Sequence, residues 1–150
     1  MKNGKLISCG LVFFSLISCE KKNSNDYVSL DMDITVLNNE GDNLLSGSGI
    51  YNKNNINIYH IVNGQPQLYY DPNLKADKGF LLIDDGKGKN MIRVFANYIA
   101  NEPSTLTLIK FGNSKMDTIK CEFSVEGSSL STSKIWFNGE LKSKQFTIIK

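Results

Sequence analysis

The sequence predicts an all-β fold, an antiparallel β-sandwich of Ig-like proportions, and three observations carry that prediction. Apolar residues recur at every second position over much of the chain, the pattern of strands buried on one face. The alternating runs are short, and clusters of Asn, Asp and Gly, residues that reverse the chain direction, separate them at regular intervals. Apolar residues rarely fall at helical spacing, and Ala, the strongest helix former, stands only at positions 76, 96 and 100. About nine short strands joined in this way favour a sandwich over a barrel. No Cys-Trp-Cys arrangement of the antibody kind accompanies them, so the prediction concerns architecture alone.

Each element follows from its own local pattern. Leu30, Met32, Ile34 and Val36 alternate with Ser29, Asp31, Asp33 and Thr35 in the cleanest half-buried strand, and residues 38–43 supply a turn. The Ser-, Gly- and Asn-rich stretch 44–55 is a loop that crosses between sheets and dips Leu44 and Leu45 into the core. Residues 56–62 and 65–70 flank Asn63-Gly64, the dipeptide best suited to the positive φ angles of a tight hairpin. Pro66 lacks a backbone donor, so its strand is an edge or starts beyond it. Residues 80–83 and 91–96 flank the Asp- and Gly-rich tip 84–90, while 105–111 and 118–125 bracket 112–117. In the latter strand Ile119, Cys121, Phe123 and Val125 share the apolar face. Residues 134–137 and 145–149 close the chain around Asn138-Gly139.

Ahead of this domain an apolar run from Leu6 to Ser18 follows Lys2 and Lys5 and ends in Leu16-Ile17-Ser18-Cys19. The run is too short to span a bilayer, which takes about 20 apolar residues. It has the length of an export-signal core. Leu-Ile-Ser-Cys occurs twice, but only Leu6, Ile7 and Ser8 separate Cys9 from Lys5, whereas the stretch before Cys19 is long enough. Residues Leu16 to Cys19 resemble the lipobox of bacterial lipoproteins. The resemblance implies cleavage before Cys19, a diacylglyceryl thioether on its sulfur, and acylation of the new amino terminus by a chain such as palmitate. Residues 1–18 are then a lipoprotein signal peptide, 19–26 the lipidated cysteine with a polar tether, and 27–150 the β-sandwich domain. Residues 20–26 hold no apolar side chain and stay solvated. Their Glu20-Lys21-Lys22 start departs from the acidic stretch that directs some such proteins to the cell surface, which leaves the membrane leaflet open.

Cleavage also changes the accounting of cysteine and charge. Cys9 leaves with the signal and Cys19 carries lipid, so Cys121 has no partner for an internal disulfide. On an apolar strand face without a basic neighbour, Cys121 is a buried structural thiol. The precursor carries 17 Lys+Arg and 15 Asp+Glu, and loss of Lys2 and Lys5 leaves 15 of each. A neutral mature chain with scattered lysines and Arg93 as its single arginine lacks the electrostatic footprint for nucleic acid.

A second resemblance spans most of the mature chain. Asp71-Pro72-Asn73, the segment 117–122 and Trp136-Phe137-Asn138-Gly139-Glu140 resemble those of small Bacteroidetes-type lipoproteins with one β-rich domain. The resemblance implies an envelope location, on the outer membrane, and a β-rich fold, but no activity. Asp117-Thr118-Ile119 is similar to the Asp-Thr-aliphatic acceptor of O-glycosylation in that bacterial group, which makes Thr118 a candidate for modification.

Catalytic and metal chemistry find little support. His60 is the single histidine and lies in an alternating strand; no Gly-x-Ser-x-Gly elbow accompanies it, so a structural or surface role is expected. Zinc draws on several His or Cys ligands that this chain lacks. Asp84 and Asp85 offer hard oxygens for calcium, but their spacing does not match a calcium loop, and Lys87 and Lys89 oppose the ion. The sequence therefore predicts no metal, no cofactor and no catalytic residue.

Aromatic pairs supply the ligand hypothesis. Adjacent strand residues face opposite sides, so one ring of Tyr69-Tyr70 and one of Trp136-Phe137 point outward. Tyr69, Tyr70, Trp136 and Phe137 are the candidate ligand-binding residues. The leading expectation is a non-enzymatic envelope lipoprotein that binds a protein partner. A glycan-binding lipoprotein using these aromatics comes second, and an enzyme with a carboxylate pair among Asp84, Asp85, Asp117, Glu122 and Glu140 third.

Overall fold

In the computed structural model, which describes residues 27–45, 49–85 and 90–150, side-chain alternation sorts the chain into two sheets around one core. The strands are β1 (Val28–Ser29), β2 (Asp31–Leu37), β3 (Ile56–Val62), β4 (Gln65–Leu68), β5 (Phe80–Asp84), β6 (Asn90–Phe95), β7 (Ser104–Phe111), β8 (Asp117–Glu126), β9 (Ser129–Phe137), β10 (Glu140–Lys142) and β11 (Gln145–Ile149). The first sheet runs β1-β9-β8-β7-β3-β4, with β10 also paired to β9; the second runs β11-β2-β6-β5. The chain is all-β, a β-sandwich of two packed sheets. From the second sheet Met32, Ile34 and Val36 enter the core with no solvent exposure, and from the first Ile58, Ile109 and Ile119 meet the same cluster. Burying each such side chain contributes roughly 1.5–3 kcal/mol.

Turn chemistry places the hairpins. Asn63 (φ 52°) and Gly64 (φ 76°) join β3 to β4 with the paired positive φ angles expected of Asn-Gly, and β4 is an edge strand, as Pro66 requires. The 38–55 connection carries the chain from β2 in one sheet to β3 in the other and buries Leu45, while Leu44 packs against the core.

Three expectations need correction. The sheets are mixed rather than purely antiparallel: β1 runs parallel to β9, and β11 parallel to β2. Asn138-Gly139 joins β9 to the short β10, and β11 is not part of that hairpin. It enters the second sheet where the Asp33 amide donates to the Lys144 carbonyl at 2.9 Å. Between Glu122 and Phe123 the β8–β9 register shifts and leaves Ser133 of β9 unpaired; Phe123 still packs against the core beyond Cys121, but Val125, placed by its sequence pattern on the same apolar face, is 65% exposed. The hairpin through Gly127 had no apolar signal, because β9 opens with Ser129, Ser131 and Ser133.

The two outer faces differ. On the second sheet Arg93 Nε and Nη2 donate to the two Asp33 oxygens, each at 2.8 Å, across a β2–β6 pair, and Lys144 and Arg93 reach Asp31. That fork satisfies a charged surface. The outer face of the first sheet carries Trp136 and the exposed Leu68, Leu106 and Leu141.

Candidate functional site

Strand register assembles a row across the outer face of the first sheet. Leu106 on β7 faces Lys120 on β8, Lys120 faces Trp136 on β9, and Trp136 faces Leu141 on β10. Leu106 and Leu141 are 42% and 65% exposed. The Lys120 and Lys134 ammonium groups lie 5.1 and 5.8 Å from the Trp136 ring centroid, within cation–π range. Lys134 also donates to Glu122 at 3.0 Å. A shallow hollow of about 450 Å³ lies beside the ring, lined by Leu106, Thr118, Lys120, Trp136 and Gly139. One row further along the sheet, Leu68 faces Tyr59 and Tyr59 faces Leu108, so the apolar character continues toward β4.

A different feature lies where β3 and the 69–79 connection meet the start of β5 and the end of β6. There a pocket of about 440 Å³ is lined mainly by carbon, with His60, Tyr69, Leu74, Leu81 and Phe95 among its walls. The His60 and Tyr69 rings pack with centroids 4.4 Å apart and planes tilted by 36°. Burial pushes the His60 imidazole below its ordinary 6.5, so the ring is neutral at pH 7. Burial, and then the Asp71 carboxylate, push the Tyr69 hydroxyl upward.

The aromatic pairs divide as the two-residue period demands. Tyr70 is 62% exposed while Tyr69 turns toward the core and the pocket; Trp136 is half-buried on the outer face while Phe137 is a core residue, packed on Phe146 with centroids 5.5 Å apart. Phe137 is therefore no part of a surface platform. Comparison with known proteins finds no family model that matches the chain, and no curated protein or solved structure that is significantly similar to it.

The remaining candidates are placed by their partners. Asp117 takes Lys150 and Asn138, Glu122 takes Lys134, and Glu140 takes Lys142 at 2.7 Å, so these three carboxylates each work against a lysine. The Lys142 hydrogen bond and charge hold the Glu140 carboxyl below its usual range. Among the described residues no three His, Cys, Asp or Glu side chains gather into a metal site. Thr118 is exposed at the start of β8, where its amide donates to Asn138 Oδ1 at 2.8 Å. Cys19, with all of residues 1–26, lies outside the described residues, as do residues 86–89 beside Asp84 and Asp85. The pocket around His60 escaped sequence reasoning because its walls come from β3, the 69–79 connection, β5 and β6. Its one local sign was a lone histidine flanked by apolar residues.

Proposed function

We propose that the protein is a membrane-anchored envelope lipoprotein, attached through lipid on Cys19, that acts as a non-enzymatic binding module for a protein partner on the outer face of its first sheet. The observation that carries this reading is the Leu106–Lys120–Trp136–Leu141 row. An aromatic ring between exposed apolar side chains, rimmed by lysines, has the make-up of a protein-interface centre. Lys120 and Lys134 make the rim complementary to an acidic partner surface. The outer face of the second sheet carries the Asp33–Arg93 fork and the exposed Ile149, but no tryptophan flanked by lysines. The engagement of Asp117, Glu122 and Glu140 by lysines supports a non-enzymatic role, the lipobox-like Leu16 to Cys19 supports a lipid anchor, and the resemblance to Bacteroidetes-type lipoproteins favours the outer membrane.

Site-specific photocrosslinking in producing cells tests the docking face. A photoreactive phenylalanine analogue at Leu141 is expected to give one discrete adduct that Lys120→Glu abolishes, while the analogue at Thr147 on the other sheet gives none. Equal adducts from both positions would remove the face-specific reading. The anchor is tested separately, since Cys19→Ala is expected to abolish incorporation of labelled palmitate.

The hollow beside Trp136 favours glycan capture as a second reading. Two ammonium groups near the ring compete with a sugar for its face, which ranks this reading below protein docking. It requires saccharide-dependent quenching of the single tryptophan, and protease shaving of intact cells must show the domain on the outer surface.

A further inference from the structure

The His60 pocket is separate from the docking face and carries its own chemistry. Its volume of about 440 Å³ falls within the range of small-molecule sites. It is also close to three times the roughly 150 Å³ that admits a benzene ring. Its walls are held in shape without a ligand. Inside the 69–79 connection the Asp71 amide donates to the Asp77 carbonyl at 2.7 Å, and the Gly79 amide to the Ala76 carbonyl at 2.8 Å. The Phe95 amide then donates to the Gly79 carbonyl at 3.0 Å, which ties the connection to β6. Gly79 has φ 78°, and a Cβ there would stand 3.0 Å from Tyr69 Cδ1, so the wall tolerates no larger residue without displacing that ring.

Besides Tyr69, two side chains with polar groups line the pocket, His60 and Lys75. His60 Nε2 is buried and has no hydrogen-bond partner among the described residues. An unpartnered buried nitrogen costs free energy that a bound acceptor recovers. Lys75, exposed and also lining the pocket, belongs to no ion pair among the described residues. A donor on the wall and an unneutralised cation beside it, set in a carbon-lined pocket, specify a ligand with an apolar body and one carboxylate.

We infer that this pocket binds a small monocarboxylic acid, its alkyl or aryl body against Leu74, Leu81 and Phe95 and its carboxylate accepting from His60 Nε2–H in the field of Lys75. The neutral imidazole carries one N–H, and placing that proton on Nε2 turns the orphaned atom into the donor. Lys75 adds attraction for the anion without burial of its own charge.

His60 is the single histidine, so its ring signals in an NMR spectrum report on this pocket alone. The full chain, held in phosphatidylcholine nanodiscs so that no free detergent competes, is titrated with 4-phenylbutyrate and with its neutral amide, 4-phenylbutanamide. The expected result is a saturable shift of the His60 ring signals with 4-phenylbutyrate at a Kd of roughly millimolar or tighter, the scale for a ligand of this size. The amide is expected to bind at least tenfold more weakly, and surface Lys75→Ala to weaken the acid about fivefold while leaving the amide unchanged. Absence of a saturable shift with either probe overturns the site. Equal affinity for acid and amide, or an unchanged Kd in Lys75→Ala, overturns the carboxylate assignment and leaves a purely apolar pocket. Loss of the photocrosslink at Leu141 without change in this titration would reject the docking face and spare the pocket.

Discussion

The Lys150 ammonium donates to the buried Asp117 carboxylate and so fastens the end of β11, in the second sheet, to the start of β8 in the first. Asn138 Nδ2 donates to the other Asp117 oxygen at 3.0 Å, and Lys150 Nζ also lies 5.6 Å from the Phe111 ring centroid. One carboxylate therefore joins both sheets and the β9–β10 turn. With the two side chains only 16% and 9% exposed, solvent screens the pair little. Lys150→Met strands the carboxylate on a single amide and is expected to cost about 2–3 kcal/mol in urea unfolding. The double variant Asp117→Leu/Lys150→Met is expected to recover part of that loss, because no buried charge remains. A Lys150→Met domain as stable as the parent would mean that the contact is ornamental.

Physical range explains which parts of this architecture were legible in the sequence. Met32, Ile34 and Val36 announce their face because the strand period is local, and Asn63-Gly64 announces its hairpin because two adjacent φ angles decide the turn. The Tyr69/Tyr70 and Trp136/Phe137 pairs likewise had to split one in and one out. By contrast, nothing near residues 145–149 says that β11 leaves its neighbours to lie parallel to β2, and nothing near Asp117 names Lys150. The serine-rich opening of β9 gave no alternation, so the longest pairing in the fold, β8 with β9, was seen on one side only. The His60 pocket needs four separate segments, which no local pattern encodes.

Cys121 offers a clean probe of how the core opens. Its side chain has no solvent exposure, and burial pushes the thiol up to about 12, so the reactive thiolate is scarce in the folded domain at pH 8. A disulfide reagent such as DTNB is expected to label it on the order of 10³-fold more slowly in native buffer than in 6 M urea, the labelling waiting on unfolding. Prompt labelling in native buffer would show that β8 separates from its neighbours without global unfolding.

Acid sensitivity near neutrality is assigned to His60. Burial lowers its folded-state value below the ordinary 6.5, so between those two pH values the unfolded chain binds a proton that the folded chain refuses. The contribution is complete above about pH 6.5 and is lost as pH falls through the folded value. Urea unfolding at pH 5.2 and 7.5 is expected to show a smaller pH-dependent loss in His60→Gln than in the parent. The lowered carboxylates Asp77 and Glu140, held down chiefly by hydrogen bonds from Lys53 and Lys142, add their own loss at lower pH. Identical pH slopes for parent and variant would show that the ring titrates as it does in the unfolded chain.

The lysines around Trp136 leave an optical signature. With ammonium groups 5.1 and 5.8 Å from the ring centroid, the local potential draws anions to the single tryptophan and repels cations. Iodide is expected to quench its fluorescence more strongly than caesium at low ionic strength, with the difference shrinking as added salt shortens the screening length. Lys120 carries most of this effect, since Glu122 already offsets Lys134 across a 3.0 Å ion pair. Lys120→Glu should therefore reverse the order of the two quenchers, whereas Lys134→Ala should only narrow the gap. The same reversal predicts which substitution disrupts an acidic partner: Lys120→Glu turns one rim lysine into a like charge beside Trp136, and Lys134→Ala only removes a rim charge that Glu122 already offsets. If both variants quench alike, the field at Trp136 does not come from these side chains, and the charge complementarity assigned to the face loses its basis.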